Sequence, residues 1–297
     1  MRSLPRVLAL VSVTLLPASA AAQQELDTVQ IRTEQVGPGV YVLFGSGGNI
    51  GLAVGSDATF VVDDQFAPLT LKILAAIRAV TPNPVKFVVN THWHFDHTGG
   101  NENLGNAGAL IVAHENVRKR MTTGEFIRAL NRTIPPAEPG ALPVVTFTDA
   151  VTFHLNGDSL VVQHVAPAHT DGDAIIHFTK ANVIHTGDVF HNAGLPFVDR
   201  SSGGSIHGII AAADKIIAMS DGQTRIVPGH GVVSTREDVM EFRDMVLDVK
   251  AEVAAMVARG MTYEQVAAAS PTAPYEAKWG DPERFLTAVY AELGGEG

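Results

Sequence analysis

Thr91-His92-Trp93-His94-Phe95-Asp96-His97-Thr98-Gly99-Gly100 decides how the rest of this chain is read. Four side chains able to ligate a metal, His92, His94, Asp96 and His97, fall in one short cluster. The run before them, Val85-Lys86-Phe87-Val88-Val89-Asn90, is apolar and β-branched, the pattern of a buried strand. The cluster therefore lies where a strand ends and a loop begins. In extended chain, positions two apart point the same way, so His92 and His94 can hold one ion together. Asp96 shares that direction, and a turn at Phe95-Asp96 lets His97 join it on a second ion. Neutral imidazoles and a carboxylate suit zinc and similar borderline metals. Two neighbouring histidines alone are more often surface or core residues. Four ligand types in H-x-H-x-D-H order at a strand end are far harder to reach by accident.

The chain has 297 residues, 46% of them hydrophobic, enough for one large core or two small ones. Arg2 and Arg6, the apolar run 7–16 and the small residues 17–22 have the three parts of a secretory signal, cleaved after Ala20 or Ala22. That apolar run is too short to span a bilayer, which needs roughly 20 residues. The formal charge is −10, and loss of the leader leaves 19 basic and 31 acidic residues, a charge of −12. Such acidity argues against a polyanion such as nucleic acid as partner. A small anionic substrate drawn by bound metal is not excluded. There is no cysteine, so thiolate ligands, thiolate nucleophiles and disulfides are all absent.

Past the leader, strands alternate with single helices. Residues 23–38 begin as an edge strand, and 40–44, 50–54 and 58–62 read as a meander with Gly55-Ser56-Asp57 as a hairpin turn. The glycine run 45–49 lacks the G-x-G-x-x-G spacing of a phosphate loop. A helical stripe covers 69–80 and ends at Thr81-Pro82-Asn83-Pro84. Residues 101–106 suggest a short helix, 109–113 a strand, and 115–130 a mostly helical segment. The four prolines of 131–143 suggest an irregular loop, either a lid or a surface linker. Strands follow over 144–165, turned at Asn156-Gly157-Asp158, then at 174–178, 182–186 and 225–227, with a helix at 206–219. Thr235-Arg236-Glu237-Asp238 opens a long helix to 259. Helices at 262–269 and 282–293 close the chain. No linker or repeat divides residues 23–297, which read as one domain, with 235–297 as helices packing on its C-terminal side.

One short cluster cannot complete two coordination shells. Three more strand ends supply candidates: His169 in Ala168-His169-Thr170-Asp171-Gly172-Asp173, Asp188 in Thr186-Gly187-Asp188, and His230 in Pro228-Gly229-His230-Gly231. This ordered set resembles the metallo-β-lactamase-fold hydrolase superfamily from about residue 40 to 233. The resemblance implies an α/β fold of the αββα sandwich type with metals at one edge. It implies that His92, His94 and His169 hold one zinc ion and that Asp96, His97 and His230 hold the second. Asp188 would bridge them, and manganese or iron are alternatives to zinc. The best-known zinc β-lactamases carry cysteine or serine where Asp188 stands. An aspartate there is similar to the thioesterase, lactonase and phosphodiesterase branches, which widens the substrate class.

The implied activity is that of an exported, periplasmic or secreted dinuclear hydrolase. A metal-bridged hydroxide would attack the carbonyl of a small β-lactam, lactone or ester, with Asp96 and Asp188 as catalytic carboxylates. Phosphodiesterase or thioesterase chemistry on the same site is the alternative, and a mononuclear iron thiol dioxygenase represents another class. His191 and its loop are expected to border the substrate, with Phe66 and Phe197 as apolar walls. Asp63 is expected to orient a ligand histidine. Trp93 and Phe95, alternating with the ligands, are expected to pack away from the site. His114, His154, His164, His177, His185 and His207 read as hydrogen-bonded structural imidazoles. The partner is a small molecule, with no nucleic acid and no stable membrane association. No pattern in the chain speaks to an oligomeric state.

Overall fold

The computed structural model describes residues 26–294, so the leader expected over residues 1–22 lies outside the described residues. Two sheets face one another. The larger runs β1 (Arg32–Gly37), β2 (Val40–Phe44), β3 (Ile50–Ala53), β4 (Thr59–Val62), β5 (Val85–Val89), β6 (Leu110–His114), with β9 (Val145–Phe147) at its far edge. A separate hairpin pairs β7 (Glu125–Ile127) with β8 (Arg132–Ile134). The second sheet is β10 (Ala150–Leu155), β11 (Asp158–His164), β12 (Ala174–Phe178), β13 (Val183–His185) and β14 (Arg225–Val227). The helices are α1 (Thr70–Val80), α2 (Phe95–Thr98), α3 (Asn101–Asn106), α4 (Glu115–Thr123), α5 (Ile206–Met219), α6 (Arg236–Val257), α7 (Tyr263–Ala269), α8 (Ala273–Trp279) and α9 (Glu283–Glu292).

Alternation along the strands sorts side chains into layers. In β4, Phe60 and Val62 face the other sheet, packing with Val42, Val89, Leu160 and Ile176. Val61 faces the other way, onto Leu52, Val88 and Ile73 and Ile77 of α1. Val88 and Val89, at the end of β5 nearest the 91–100 stretch, are buried on both faces, whereas Lys86 at its start is exposed. Behind the second sheet, Ile209 and Ile216 of α5 pack against Phe242 and Val249 of α6 and Val289 of α9. The result is helix, sheet, sheet, helix in one domain, the layering that the resemblance implies.

The turns follow their residues. Asn156 and Gly157 both take positive φ, 56° and 74°, the requirement of a type I′ hairpin between β10 and β11. The helix expected over 115–130 stops at Thr123, because Gly124 follows at φ 68°. The end of the segment expected as helix holds β7 instead, and the segment expected as a loop from residue 131 holds β8, three-residue strands too short for a period-two signal. Helix α8 also goes unread in the sequence. Pro274 looks like a breaker there, but it sits in the first turn, where a missing N–H breaks no helical bond. Among the described residues no helix is long and apolar enough to cross a membrane.

Helix α6 opens with a reciprocal cap: Thr235 Oγ1 accepts from Asp238 N, and the Asp238 carboxylate accepts from Thr235 N at 2.8 Å. Thr235→Ala should cost about 1 kcal/mol. In a domain of this size that lowers Tm by roughly 2–4 °C in a thermal melt.

Candidate metal centre

Five strand ends converge on one edge of the sandwich. β4 ends in Asp63-Asp64-Gln65 and β5 runs into the 91–100 stretch, while β11, β13 and β14 lead to His169, Asp188 and His230. Parallel pairing brings the ends level, with Val62 opposite Val89 and His185 opposite Val227. After His94 the chain makes the single helical turn α2, closed by His97 N donating to His94 O at 3.0 Å. That turn carries Asp96 and His97 round to the side of His230.

The ligand-type atoms fall into three overlapping groups: His92, His94 and His169; His92, His97 and Asp188; Asp96, His97 and His230. Within each group, one atom per residue lies within 4.8 Å of the others. Asp188 sits between: Oδ1 is 3.2 Å from His97 Nε2, and Oδ2 is 3.3 Å from His230 Nε2 and 3.7 Å from His169 Nε2. His230 Nε2 also lies 3.2 Å from Asp96 Oδ2. All seven residues singled out by their strand ends therefore meet.

Four of the imidazoles have one ring nitrogen engaged by the protein. His92 Nδ1 is 3.0 Å from Thr91 Oγ1, and His94 Nε2 is 3.1 Å from Asp199 Oδ2. His97 Nδ1 is 2.8 Å from Asp63 Oδ2, and His169 Nδ1 is 2.6 Å from Phe197 O. The nitrogens left over share a small volume. His94 Nδ1 and His169 Nε2 are 2.8 Å apart, and His97 Nε2 and His230 Nε2 are 3.1 Å apart. His92 Nε2 and Asp188 Oδ1 are buried with no hydrogen-bond partner among the described residues.

The backbone is shaped to allow this. Asp63 and Gln65 take left-handed φ values of 59° and 58°, which side-chain-bearing residues adopt at a cost. Bonds hold them there: Asp63 accepts from Thr91 N and Thr91 Oγ1, each at 2.7 Å, and Gln65 Nε2 donates to Gly48 O at 2.7 Å. A Cβ on Gly48 would fall 2.1 Å from the His97 ring, and one on Gly229 would fall 1.8 Å from Asp188 Oδ1.

Electrostatics follow from this crowding. Burial pushes His92 well below its ordinary pKa and His169 down to about 3, with nearby His94 adding to the second effect. For His230, burial opposes protonation, but Asp188 and Asp96 prevail and raise it to about 9. His97 behaves likewise: Asp188, Asp96 and Asp63 outweigh burial and hold it well above the usual range. Burial alone would raise Asp188; His230 and His97 instead hold it well below the carboxylate range. The carboxylates thus demand positive charge at this point. A borderline divalent cation would meet the same demand, with nitrogen and oxygen donors already turned toward it.

A cleft of about 300 Å³ opens onto the centre, and His191, Phe197 and Phe66 line it together with Asp96, Asp188 and His230. His191 Nδ1 is buried without a partner, Phe197 N points at its Nε2 from 3.4 Å, and burial lowers its pKa to about 4. Trp93 packs away from the centre, in the cluster with Val117 and Met121. Phe95 packs at the edge of that cluster but also lines the cleft, 6.0 Å from the Phe66 ring, with the Arg132 guanidinium 3.9 Å above it. Strand pairing ends at Val89 and residues 91–93 bend before α2 begins, so strand alternation does not carry as far as Phe95. His185 bonds Asn49 O at 3.1 Å, and His114 stacks on His164 at 3.9 Å, both as parts of the scaffold.

Asp199 and Asp173 escape the sequence reading. Asp199 bonds His94 and is held in turn by Ser201 and Ser202. Asp173 accepts from His169 N at 2.7 Å and Thr170 N at 2.9 Å, a loop-closing pattern that the spacing from Thr170 could have suggested. The Asp199 loop is anchored from α9. Glu292 accepts from Ser205 Oγ, Ile206 N and His207 Nδ1 and pairs with Arg200 at 2.8 Å.

Two facing sheets, flanking helices and this strand-end cluster define a family. The metallo-beta-lactamase superfamily model matches residues 43–234, well over half of the chain, and the chain belongs to that superfamily of hydrolases. It is 23% identical to the acyl-coenzyme A thioesterase MBLAC2 of Gallus gallus over 212 residues, 63% of this chain and 73% of the relative. It is 26% identical to the linear primary-alkylsulfatase of Pseudomonas sp. (strain ATCC 19151) over 227 residues, 64% of this chain and 42% of that protein. Among solved structures, the sec-alkylsulfatase Pisa1 from Pseudomonas sp. superposes with a TM-score of 0.68 at 18% identity, covering 92% of this chain and 51% of that one. A metallo-beta-lactamase from Pontibacter korlensis gives 0.60 at 18% identity, covering 74% and 100%. At these identities the solved structures share the fold, and the chain spans about half the length of the sulfatase.

Asp199→Ala frees the His94 ring without touching the cleft. It should weaken divalent-metal binding roughly 10–100-fold, the usual effect of losing a carboxylate that orients a ligand histidine. Competition with a chelating dye measures this, with circular dichroism to verify the fold.

Proposed function

We propose that this protein is an exported dinuclear metal hydrolase acting on a small ester, lactone or β-lactam. The observation that carries the reading is the set of ring nitrogens with fixed protein partners on one side while the other nitrogens turn toward one another around Asp188. His92, His94 and His169 would hold one ion, Asp96, His97 and His230 the other, and Asp188 both. Nitrogen-rich donors without thiolate suit zinc, with manganese or iron as alternatives. Bound divalent ions would supply Lewis acidity and a water of lowered pKa. Export rests on the leader read over residues 1–22.

The chain's own residues do the rest. Asp96, with 21% of its side chain open to solvent, accepts the proton of the attacking water and returns it to the leaving atom. Asp188 and Asp63 keep the two halves of the site in register. His191 borders the substrate with its ring face, its Nε2 facing the Phe197 N–H and its Nδ1 buried. Phe66, Phe95 and Phe197 exclude water from the apolar part of the substrate. Sulfate-ester hydrolysis is a second reading, supported by the 26% identity to the linear primary-alkylsulfatase over 227 residues.

Chelation should abolish turnover and zinc should restore it, with about two equivalents bound. The loaded protein should hydrolyse at least one of a chromogenic cephalosporin, an aryl ester, a lactone, an acyl thioester, an aryl phosphodiester and an alkyl sulfate. Turnover of none of them would sink the hydrolase reading, and turnover of the sulfate alone would select the second. His191→Ala removes part of the cleft wall and should lower kcat/KM roughly tenfold, a loss of about 1.4 kcal/mol in transition-state binding.

A further inference from the structure

A second cleft, about 460 Å³, adjoins the one over the metal centre, and His191, Ala193, Phe197 and Arg284 belong to the walls of both. Its outer wall comes from the bend between α8 and α9, beyond the residues 43–234 that define the family match. The bend is fixed to the site: Leu195 N donates to Trp279 O at 2.8 Å, and the Trp279 ring lies 5.9 Å from Phe242. Arg284 stands at the junction, exposed, with no hydrogen bond or ion pair among the described residues. Other arginines near the site are engaged, Arg120 by Asp171 and Glu125 and Arg200 by Glu292, while Arg132 lies over Phe95. Asp281 and Glu283 line the outer cleft but not the inner one.

We infer that Arg284 recognises a single negative charge on the non-reacting arm of the substrate. An apolar spacer lies between that charge and the scissile bond, against Phe197 and Phe66. A guanidinium free of protein partners binds a carboxylate in two-pronged fashion without first breaking an ion pair. Asp281 and Glu283, one step farther out, repel a second charge. A monoanionic aryl- or alkyl-carboxylate ester fits this arrangement, and a coenzyme A thioester, with its clustered phosphates, does not. The inference deepens the hydrolase reading and rests on it, but binding tests it without turnover.

Titration calorimetry on the zinc-loaded full chain should show 4-phenylbutyrate binding at least tenfold more tightly than 4-phenylbutan-1-ol. Arg284→Gln should abolish that preference and leave the alcohol unchanged, whereas Arg284→Lys should keep part of it. Coenzyme A should bind more weakly than 4-phenylbutyrate. Three results would overturn the inference: no carboxylate preference in the native protein, a preference that survives Arg284→Gln (a carboxylate held at the metal centre instead), or tighter binding of coenzyme A. If the Arg284-dependent preference holds while the loaded protein turns over nothing, the recognition stands and the hydrolase reading falls.

Discussion

An imidazole has two nitrogens, and fixing one of them with the protein commits the other. That constraint governs the edge of this sandwich. Thr91, Asp199, Asp63 and Phe197 O each engage one nitrogen of a histidine. The remaining nitrogens, with Asp188 and Asp96, are left to face one another in a buried space. Gathering such groups without a cation costs several kcal/mol per ion in desolvation. The fold meets that cost through its cores: three layers of apolar side chains hold the five strand ends where they are. The left-handed backbone at Asp63 and Gln65 is the local sign of the same tension, as strained conformations persist where surrounding structure over-determines them.

Much of this is legible in the chain. Runs such as Val88-Val89 and Phe60-Val61-Val62 declare chain buried on both faces, and turn chemistry at Asn156-Gly157 declares a hairpin. The ligand types announce themselves because chemistry restricts them to few residues, and because each follows a strand. Coordination-type contacts join residues far apart in sequence, yet each of the seven carries its own local signal. Asp199 carries none: it meets His94 across 105 positions, and nothing around Asp199-Arg200-Ser201 distinguishes it from any turn. The hairpin of β7 and β8 and helix α8 are missed for a different reason. Their form is imposed by what they pack on, and segments of three to seven residues are too short for periodicity to outweigh proline and glycine.

Phe95 shows where a pattern argument stops applying. Alternation is a property of extended chain, and here the strand ends at Val89, with a bend over residues 91–93 before the helical turn at Phe95. The same turn that carries His97 to its position swings Phe95 into the cleft, so the ligand geometry and the apolar wall share one cause. The bridging position tells a related story. Asp188 lies against Gly229 and follows Gly187, whose φ of 51° suits glycine. A carboxylate fits there because the residues around it are reduced to backbone.

The tie between Glu292 and the loop that carries Asp199 has a consequence for how the molecule comes into being. The H-x-H-x-D-H stretch ends at His97, while the brace on His94 comes from Asp199 and the anchor of that loop from Glu292. Contacts of such long sequence separation form late and slowly. Until they form, the cluster of imidazoles and carboxylates lacks the last brace that orients it. The binding centre is thus completed by residues far from the segment that spells it out.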